Sequence, residues 1–131
     1  MFNQESEQYD LPVFPFLIGL GMCGPTVLSA GTPEQKERYI RPMLRGEEIW
    51  CQMFSEPSAG SDLANVATRA RRDDAGWVLT GQKVWTSRAA YATWGLLLAR
   101  TDPAVPKHKG LTMFIVPLKA EGVTVQGVHT F

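Results

Sequence analysis

The chain has 131 residues, of which 44% are hydrophobic and 20% are charged, which is the composition of one globular domain or part of a larger one. Thirteen Lys and Arg residues balance thirteen Asp and Glu residues, so the sequence offers no electrostatic footprint for nucleic acid or an anionic membrane. No apolar run approaches the length of a membrane span, and the acidic, polar start does not resemble a secretory signal. Cys23 and Cys51 lack metal-ligand spacing and suggest free thiols in a reducing compartment such as the cytoplasm.

The N-terminal third predicts two helices after a poorly ordered tail at residues 1–12. Residues 13–18 are apolar enough to need burial. Residues 19–24 formally fit G-x-G-x-x-G, but a dinucleotide-binding fingerprint requires a strand before it and a βαβ unit around it. Because a second helix follows instead, close helix packing is the favoured reason for these glycines.

The second helix has clear start and stop signals. Thr32 is a good N-cap, Pro33 suits the first helical position, and Gln35 completes a capping box. The helix is predicted from Pro33 to about Leu44, with a kink or a tightened last turn at Pro42 and an end at Gly46.

From residue 47 onward the pattern is that of short strands. They are predicted at residues 49–54, 67–73, 77–80, 84–87, 94–100, 111–117 and 123–128, with a hairpin turn at 73–76 and a polar loop at 102–110. The fold class is therefore α+β: a helix pair at residues 13–46, followed by a mainly antiparallel β-barrel or sandwich at 47–131.

The most informative stretch is residues 51–62, CQMFSEPSAGSD, in which an apolar strand runs into a small, hydroxyl-rich loop. Such a loop lets a ligand approach the main chain closely, although an ordinary surface turn has the same composition. Glu56 is the acid inside it, and a structural role is favoured over that of a base because no partner group accompanies it. Asp62 is interpreted as a turn or cap residue, and His108 and His129 as solvated side chains.

Residues 84–87 form a second candidate feature. If they are a strand, Trp85 and Ser87 point to the same face and place a flat ring beside a hydroxyl. That combination is a plausible wall for a tricyclic cofactor, and the alternative is a tryptophan packed in the core.

Both stretches together resemble the flavin-dependent acyl-CoA dehydrogenase family. Residues 54–62, FSEPSAGSD, are similar to its Ser/Thr-Glu-Pro-x-Ala-Gly-Ser-Asp signature, and residues 81–87, GQKVWTS, to its Asn/Thr-Gly-x-Lys-x-Trp-x-Thr/Ser pattern. The order and separation also match, and the resemblance extends from about Gly19 to Phe131. Ser58 departs from the glycine that many members have there, which implies a less free backbone.

The resemblance implies an FAD site and an acyl-CoA site. The residues it assigns to the cofactor are Gln52, Phe54, Ser55, Gly60, Ser61, Trp85, Thr86 and Ser87. Ser61 would also lie beside the acyl-CoA substrate, Trp85 would pack against the isoalloxazine, and Ser87 would hydrogen-bond near its reactive nitrogen.

The implied reaction is α,β-dehydrogenation of an acyl-CoA thioester, with electron-transfer flavoprotein as acceptor and a homo-oligomeric complete enzyme. In the family the base is a glutamate of a C-terminal helical domain, and no stretch resembling that domain occurs here, so no catalytic residue is assigned. The chain alone is expected to be inactive. Two alternatives remain open: a non-catalytic β-domain that self-associates, and part of an acyl-CoA oxidase or flavin monooxygenase.

Overall fold

A computed structural model describes residues 14–127 of the chain. A 3₁₀ turn, Phe14–Phe16, and a π-helical turn, Gly19–Cys23, lead into helix α1, Gly24–Ala30, and then helix α2, Pro33–Leu44. The tail predicted at residues 1–12 lies outside the described residues. The expected burial of residues 13–18 is wrong for two of them, since Phe14 is 70% exposed and Leu17 is 59% exposed.

The glycines of the G-x-G-x-x-G stretch serve helix packing. A Cβ at Gly24 would stand 3.0 Å from Met43 Sδ, and one at Gly19 would contact the side chains of Trp50 and Met43. Around them the first core cluster gathers Cys23, Val27, Met43, Trp50 and Leu96. The helices therefore pack directly on the sheet, and within residues 14–127 no strand precedes the glycines to form a βαβ unit.

Helix α2 has the predicted ends. The Thr32 side chain accepts a hydrogen bond from the Gln35 N–H, and the Gln35 side chain accepts one from the Thr32 N–H. At the other end Gly46 has φ +70°, and the N–H groups of Gly46 and Glu47 donate to the carbonyls of Met43 and Pro42. This is a Schellman motif, which satisfies the last carbonyls of a helix despite the internal proline.

Five strands form one mixed sheet: β1, Trp50–Met53; β2, Arg69–Asp73; β3, Gly76–Thr80; β4, Trp94–Arg100; and β5, Leu111–Pro117. Strand β4 is central, because it pairs in parallel with β1 along one edge and antiparallel with β5 along the other. Strand β2 joins β4 in parallel at Arg69 and Arg100, and pairs antiparallel with β3.

The α+β class is confirmed, but the barrel or sandwich description fits only loosely, since the sheet of the described residues does not close. The β2–β3 hairpin instead joins β4 at a single residue pair, and its side chains pack against β4 and β5. Trp77 meets Phe114 edge to face with 5.3 Å between ring centroids, and Ala70 packs in one cluster with Leu97 and Val116. The predominantly antiparallel pairing is also only partly correct, because both partners on the first edge of β4 run parallel to it.

Two predicted strands are wrong. Residues 84–87 contain no strand, because the backbone of Trp85 turns left-handed there. Residues 123–127 are also irregular, and Val128 lies outside the described residues. The hairpin prediction is confirmed: the Asp73 carboxylate accepts from the N–H groups of Ala75 and Gly76, and Gly76 has φ +142°.

Candidate functional site

The loop after β1 begins with a tight turn from Glu56 to Ala59. The Glu56 N–H donates to the Ala59 carbonyl over 2.9 Å, and the Ala59 N–H donates back over 3.1 Å. Pro57 and Ser58 occupy the two central positions, and Pro57 suits the first of them because its φ is already fixed. Ser58 does not need a positive φ, so a serine fits there without strain.

Glu56 is buried, and its carboxylate accepts three hydrogen bonds from two other parts of the chain. Its carboxylate accepts from the Ala67 N–H over 2.6 Å, from the Thr68 N–H over 3.0 Å, and from Lys83 Nζ over 2.7 Å. The Lys83 and Glu56 side chains are only 5% and 3% exposed. These contacts give Glu56 the structural role that the sequence predicts, since its carboxylate holds the turn to two other segments.

The same contacts decide the ionisation of Glu56. Burial alone would raise the pKa of its carboxyl group, but the hydrogen bonds from Lys83 and from the backbone of residues 67 and 68 outweigh burial and lower the pKa to about 2. Burial lowers the pKa of Lys83, and its bond to Glu56 opposes that shift. A carboxylate with this pKa and this set of partners is a poor general base.

The second motif lies directly against the first. The Val84 N–H donates to the Ser55 carbonyl over 2.9 Å, and Lys83 Nζ donates to the Phe54 carbonyl over 3.0 Å. Gly81 packs on Thr68, where a Cβ at position 81 would come within 2.7 Å of the Thr68 Cα. Two stretches separated by about 27 residues are therefore held side by side.

Trp85 follows at once in a strained and exposed position. Its φ is +57° and its side chain is 75% exposed, which is unusual for a bulky residue on both counts. Arg88 also has a positive φ, of +73°, and the Ser87 N–H donates to the Trp85 carbonyl. The inference that Trp85 and Ser87 share one face of a strand is wrong, since a turn replaces the strand.

The other residues assigned by resemblance occupy two settings. Gln52 and Phe54 are half-buried at the end of β1, on the chain segment that pairs with β4 and leads into the loop. Ser55 and Thr86 are half-buried, whereas Gly60, Ser61 and Ser87 are exposed. A Cβ at Gly60 would meet nothing within 4 Å, so the fold itself does not require a glycine there.

Three further hydrogen bonds, which sequence reasoning missed, tie the loop to residues 100–107. Arg100 donates to the Ala64 carbonyl over 2.6 Å and to the Lys107 carbonyl over 3.1 Å. Asp62 precedes a short 3₁₀ turn, as a cap residue does, but its carboxylate binds Lys107 Nζ over 2.6 Å. Only the polar composition of 102–110 hinted at this contact, and it did not identify the partners.

The part of the chain that the structure describes contains no cluster of side chains suited to histidine catalysis or metal binding. His108 is exposed, and His129 lies outside the described residues. Within residues 14–127 no three His, Cys, Asp or Glu side chains are grouped to hold a metal ion. No helix among those residues is both long and apolar enough to span a membrane.

Comparison with known proteins agrees with this geometry. A family model described as "Acyl-CoA dehydrogenase, middle domain" matches residues 51–130. "Acyl-CoA dehydrogenase FadE34" of Mycobacterium tuberculosis is 59% identical over 104 residues, which are 79% of this chain and 15% of that protein.

Two solved structures show the same fold. The ChsE4–ChsE5 complex from Mycobacterium tuberculosis has 41% identity and a TM-score of 0.84, over 98% of this chain and 33% of that one. A glutaryl-CoA dehydrogenase from Mycobacterium smegmatis in complex with FADH2 has 32% identity and a TM-score of 0.73, over 82% and 26% of the two chains.

This chain thus spans a third or less of the length of these relatives. The family-model match nevertheless covers both motif segments, the chain between them and all of the five strands except Trp50. The chain belongs to the acyl-CoA dehydrogenase family, and it covers the middle domain of that family.

Proposed function

We propose that this chain supplies the FAD- and acyl-CoA-contacting middle domain of an acyl-CoA dehydrogenase. The observation that carries the proposal is the joining of the two motif segments: Ser55 and Val84 share a backbone hydrogen bond, and Lys83 bonds to Glu56. The parent enzyme would remove hydrogen from the α and β carbons of an acyl-CoA thioester.

The residues present fit a flavin. Trp85 offers a large, exposed indole face, which suits packing against a planar ring system. Gly60 leaves open space where a side chain would otherwise stand, which suits close approach of a ligand to the main chain. When bound, the flavin would serve as the hydride acceptor, and the protein would bind and orient the reactants.

The proposal assigns each of these residues a contact with the cofactor. Trp85 packs against the isoalloxazine, Ser87 hydrogen-bonds near its reactive nitrogen, and Thr86, between them, also contacts the cofactor. Gln52, Phe54, Ser55 and Gly60 line the cofactor's ring edge and its ribityl-phosphate arm. Ser61, exposed beyond the turn, contacts both the cofactor and the acyl-CoA.

The base that removes the α proton comes from outside this chain in this proposal. Glu56 is committed to Lys83 and to two backbone N–H groups, and its pKa of about 2 leaves it little basicity. The family resemblance places the base on a C-terminal helical domain. The 131-residue chain alone would therefore show no turnover.

The assembly of the complete enzyme is a further part of the proposal. One similar structure is a complex of two different chains, so a heteromeric parent is as compatible with the comparisons as a homo-oligomer. Electron-transfer flavoprotein is the proposed acceptor of the parent's electrons.

The test is the visible spectrum of the purified chain before and after excess FAD, followed by desalting. Retained flavin bands are expected, and their loss in Trp85→Ala would tie them to this site. A protein that stays colourless with FAD would contradict unaided cofactor binding. Rapid reoxidation of the reduced parent by oxygen would favour an oxidase over a dehydrogenase.

A specific observation favours the alternative of a self-associating fragment as well. Several large apolar side chains of the helical part are exposed in the single chain: Phe14, Leu17, Met22, Leu28 and Leu44. Such exposure is typical of an interaction surface. A chain that ignores FAD and sediments as an oligomer would support this alternative.

A further inference from the structure

The bonds around Lys83 suggest a role beyond stabilising the fold. Lys83 Nζ donates to the Glu56 carboxylate over 2.7 Å and to the Phe54 carbonyl over 3.0 Å. One ammonium group therefore binds residues on both sides of Ser55, where the chain enters the turn. The next residue, Val84, adds a backbone bond to Ser55. Two consecutive residues of the second motif are thus fixed to three consecutive residues of the first.

The strained residue comes directly after this anchor. Trp85 has a left-handed backbone, with φ +57°, that a bulky side chain adopts only where the surroundings impose it. Its own side chain is 75% exposed, so contacts of the indole do not impose that conformation. The backbone on either side holds it instead: Lys83 and Val84 are anchored before it, and after it the Ser87 N–H donates to the Trp85 carbonyl.

Glu56 extends the anchor to a third segment. Its carboxylate also accepts from the N–H groups of Ala67 and Thr68, the two residues before β2, and Gly81 packs on Thr68. The carboxylate therefore joins the turn, the first residues before β2, and the segment before Trp85 in one buried network.

We propose that Lys83 is a positioning residue: its bonds to Glu56 and Phe54 fix the backbone that presents the Trp85 indole to the flavin. Presentation of the indole to the flavin rests on the proposed function, whereas the effect of Lys83 on the conformation of Trp85 does not. Lys83 acts through Trp85 and makes no contact with a reacting atom.

The test uses the whole 131-residue chain and the variant Lys83→Met, which keeps the apolar stem and removes the donors. Indole N–H cross-peaks in a ¹H–¹⁵N spectrum report Trp85 separately from Trp50, Trp77 and Trp94, with the Trp85 peak assigned from Trp85→Phe. FAD affinity is measured on the same samples. Lys119→Met, an exposed lysine after β5, is the matched control.

The expected result is a displaced Trp85 cross-peak, unmoved peaks for the other three tryptophans, and FAD affinity lower by about tenfold or more. Lys119→Met should match the wild-type chain in both measurements. An unmoved Trp85 peak in a folded Lys83→Met protein would overturn the inference, because the backbone would then keep its conformation without the anchor.

The two proposals fail separately. A wild-type chain that does not bind FAD counts against the proposed function, while the Trp85 peak still decides the role of Lys83. If Lys83→Met does not fold, the double variant Glu56→Gln with Lys83→Met removes the unpaired buried charge and repeats the test. A double variant that also fails to fold would overturn the inference, because the pair would then serve the whole fold.

Discussion

Gly81 lies against Thr68 so closely that a Cβ at position 81 would stand 2.7 Å from the Thr68 Cα and closer still to its hydroxyl. The φ of Gly81 is not in the left-handed region, so the need for glycine here is one of space. Thr68 in turn donates its N–H to Glu56, which places the contact inside the network that joins the two motifs.

Gly81→Ala is therefore expected to lower the free energy of unfolding by about 1–3 kcal/mol, since backbone atoms must move to admit the methyl group. Gly60→Ala is the matched control, because a Cβ there meets nothing within 4 Å. Urea unfolding measures both. Equal stability of the two variants would contradict the close contact.

The buried ion pair of Lys83 with Glu56 should contribute much more to stability than the exposed pair of Lys107 with Asp62. Lys83→Met leaves the Glu56 carboxylate buried without its cation, and such a change costs about 3–5 kcal/mol. Lys107→Met breaks the pair with Asp62, whose side chains are 55% and 57% exposed, and should cost less than about 1 kcal/mol. Chemical denaturation of the two variants side by side provides the comparison.

Glu56 should contribute to the fall in the free energy of unfolding at acid pH. Its folded pKa of about 2 lies below its ordinary value of 4.5, so its contribution is complete above pH 4.5 and is lost as pH falls toward 2. The loss is about 3 kcal/mol by linkage. Glu56→Gln should flatten this part of the curve, and an unchanged slope would show that other carboxyl groups dominate.

The two buried thiols determine how the stability of the fold should change at alkaline pH. Burial raises the pKa of Cys23 to about 12 and that of Cys51 to about 11, against an ordinary value of 9.0. Because both folded pKa values are raised, stability is complete below pH 9 and falls as pH rises through 9 toward 11–12. Neither thiol should react with a disulfide reagent in the native chain at pH 8, and both should react in denaturant. Rapid labelling of the native chain would contradict their burial.

The strain at Trp85 can be separated from the loss of its indole. Trp85→Gly relieves the left-handed backbone and Trp85→Ala does not, so the glycine variant should be more stable than the alanine variant by about 1 kcal/mol. Both variants should lose FAD binding equally under the proposed function. A glycine variant no more stable than the alanine variant would show that position 85 is unstrained.

The sequence predicts well those elements whose determinants are local. Helix α2 was predicted from Pro33 to Leu44 because Thr32, Gln35 and Gly46 carry its end signals within one turn of each end. Strands β4 and β5 were predicted at their observed bounds, because each is a continuous apolar run between polar or proline-containing loops.

The segment at 84–87 could not be predicted in this way. Its composition is that of a strand, but Lys83 and Val84 are fixed by residues 54–56, and Trp85 turns out of the extended region as a result. The strand order was equally hidden, since the parallel pairing of Trp50 with Trp94 joins residues that share no turn signal. The resemblance identified the two motifs, and only the structure shows that a buried ion pair joins them.

The central place of β4 has a consequence for synthesis of the chain on the ribosome. Strand β1 has no partner until β4 is made, about 44 residues later, because no other strand of the described residues pairs with it. At about 5–20 residues per second, that interval is roughly 2–9 s. Throughout it, Trp50 and the helices can pack on each other, while the hydrogen-bonding edge of β1 stays open to other nascent chains.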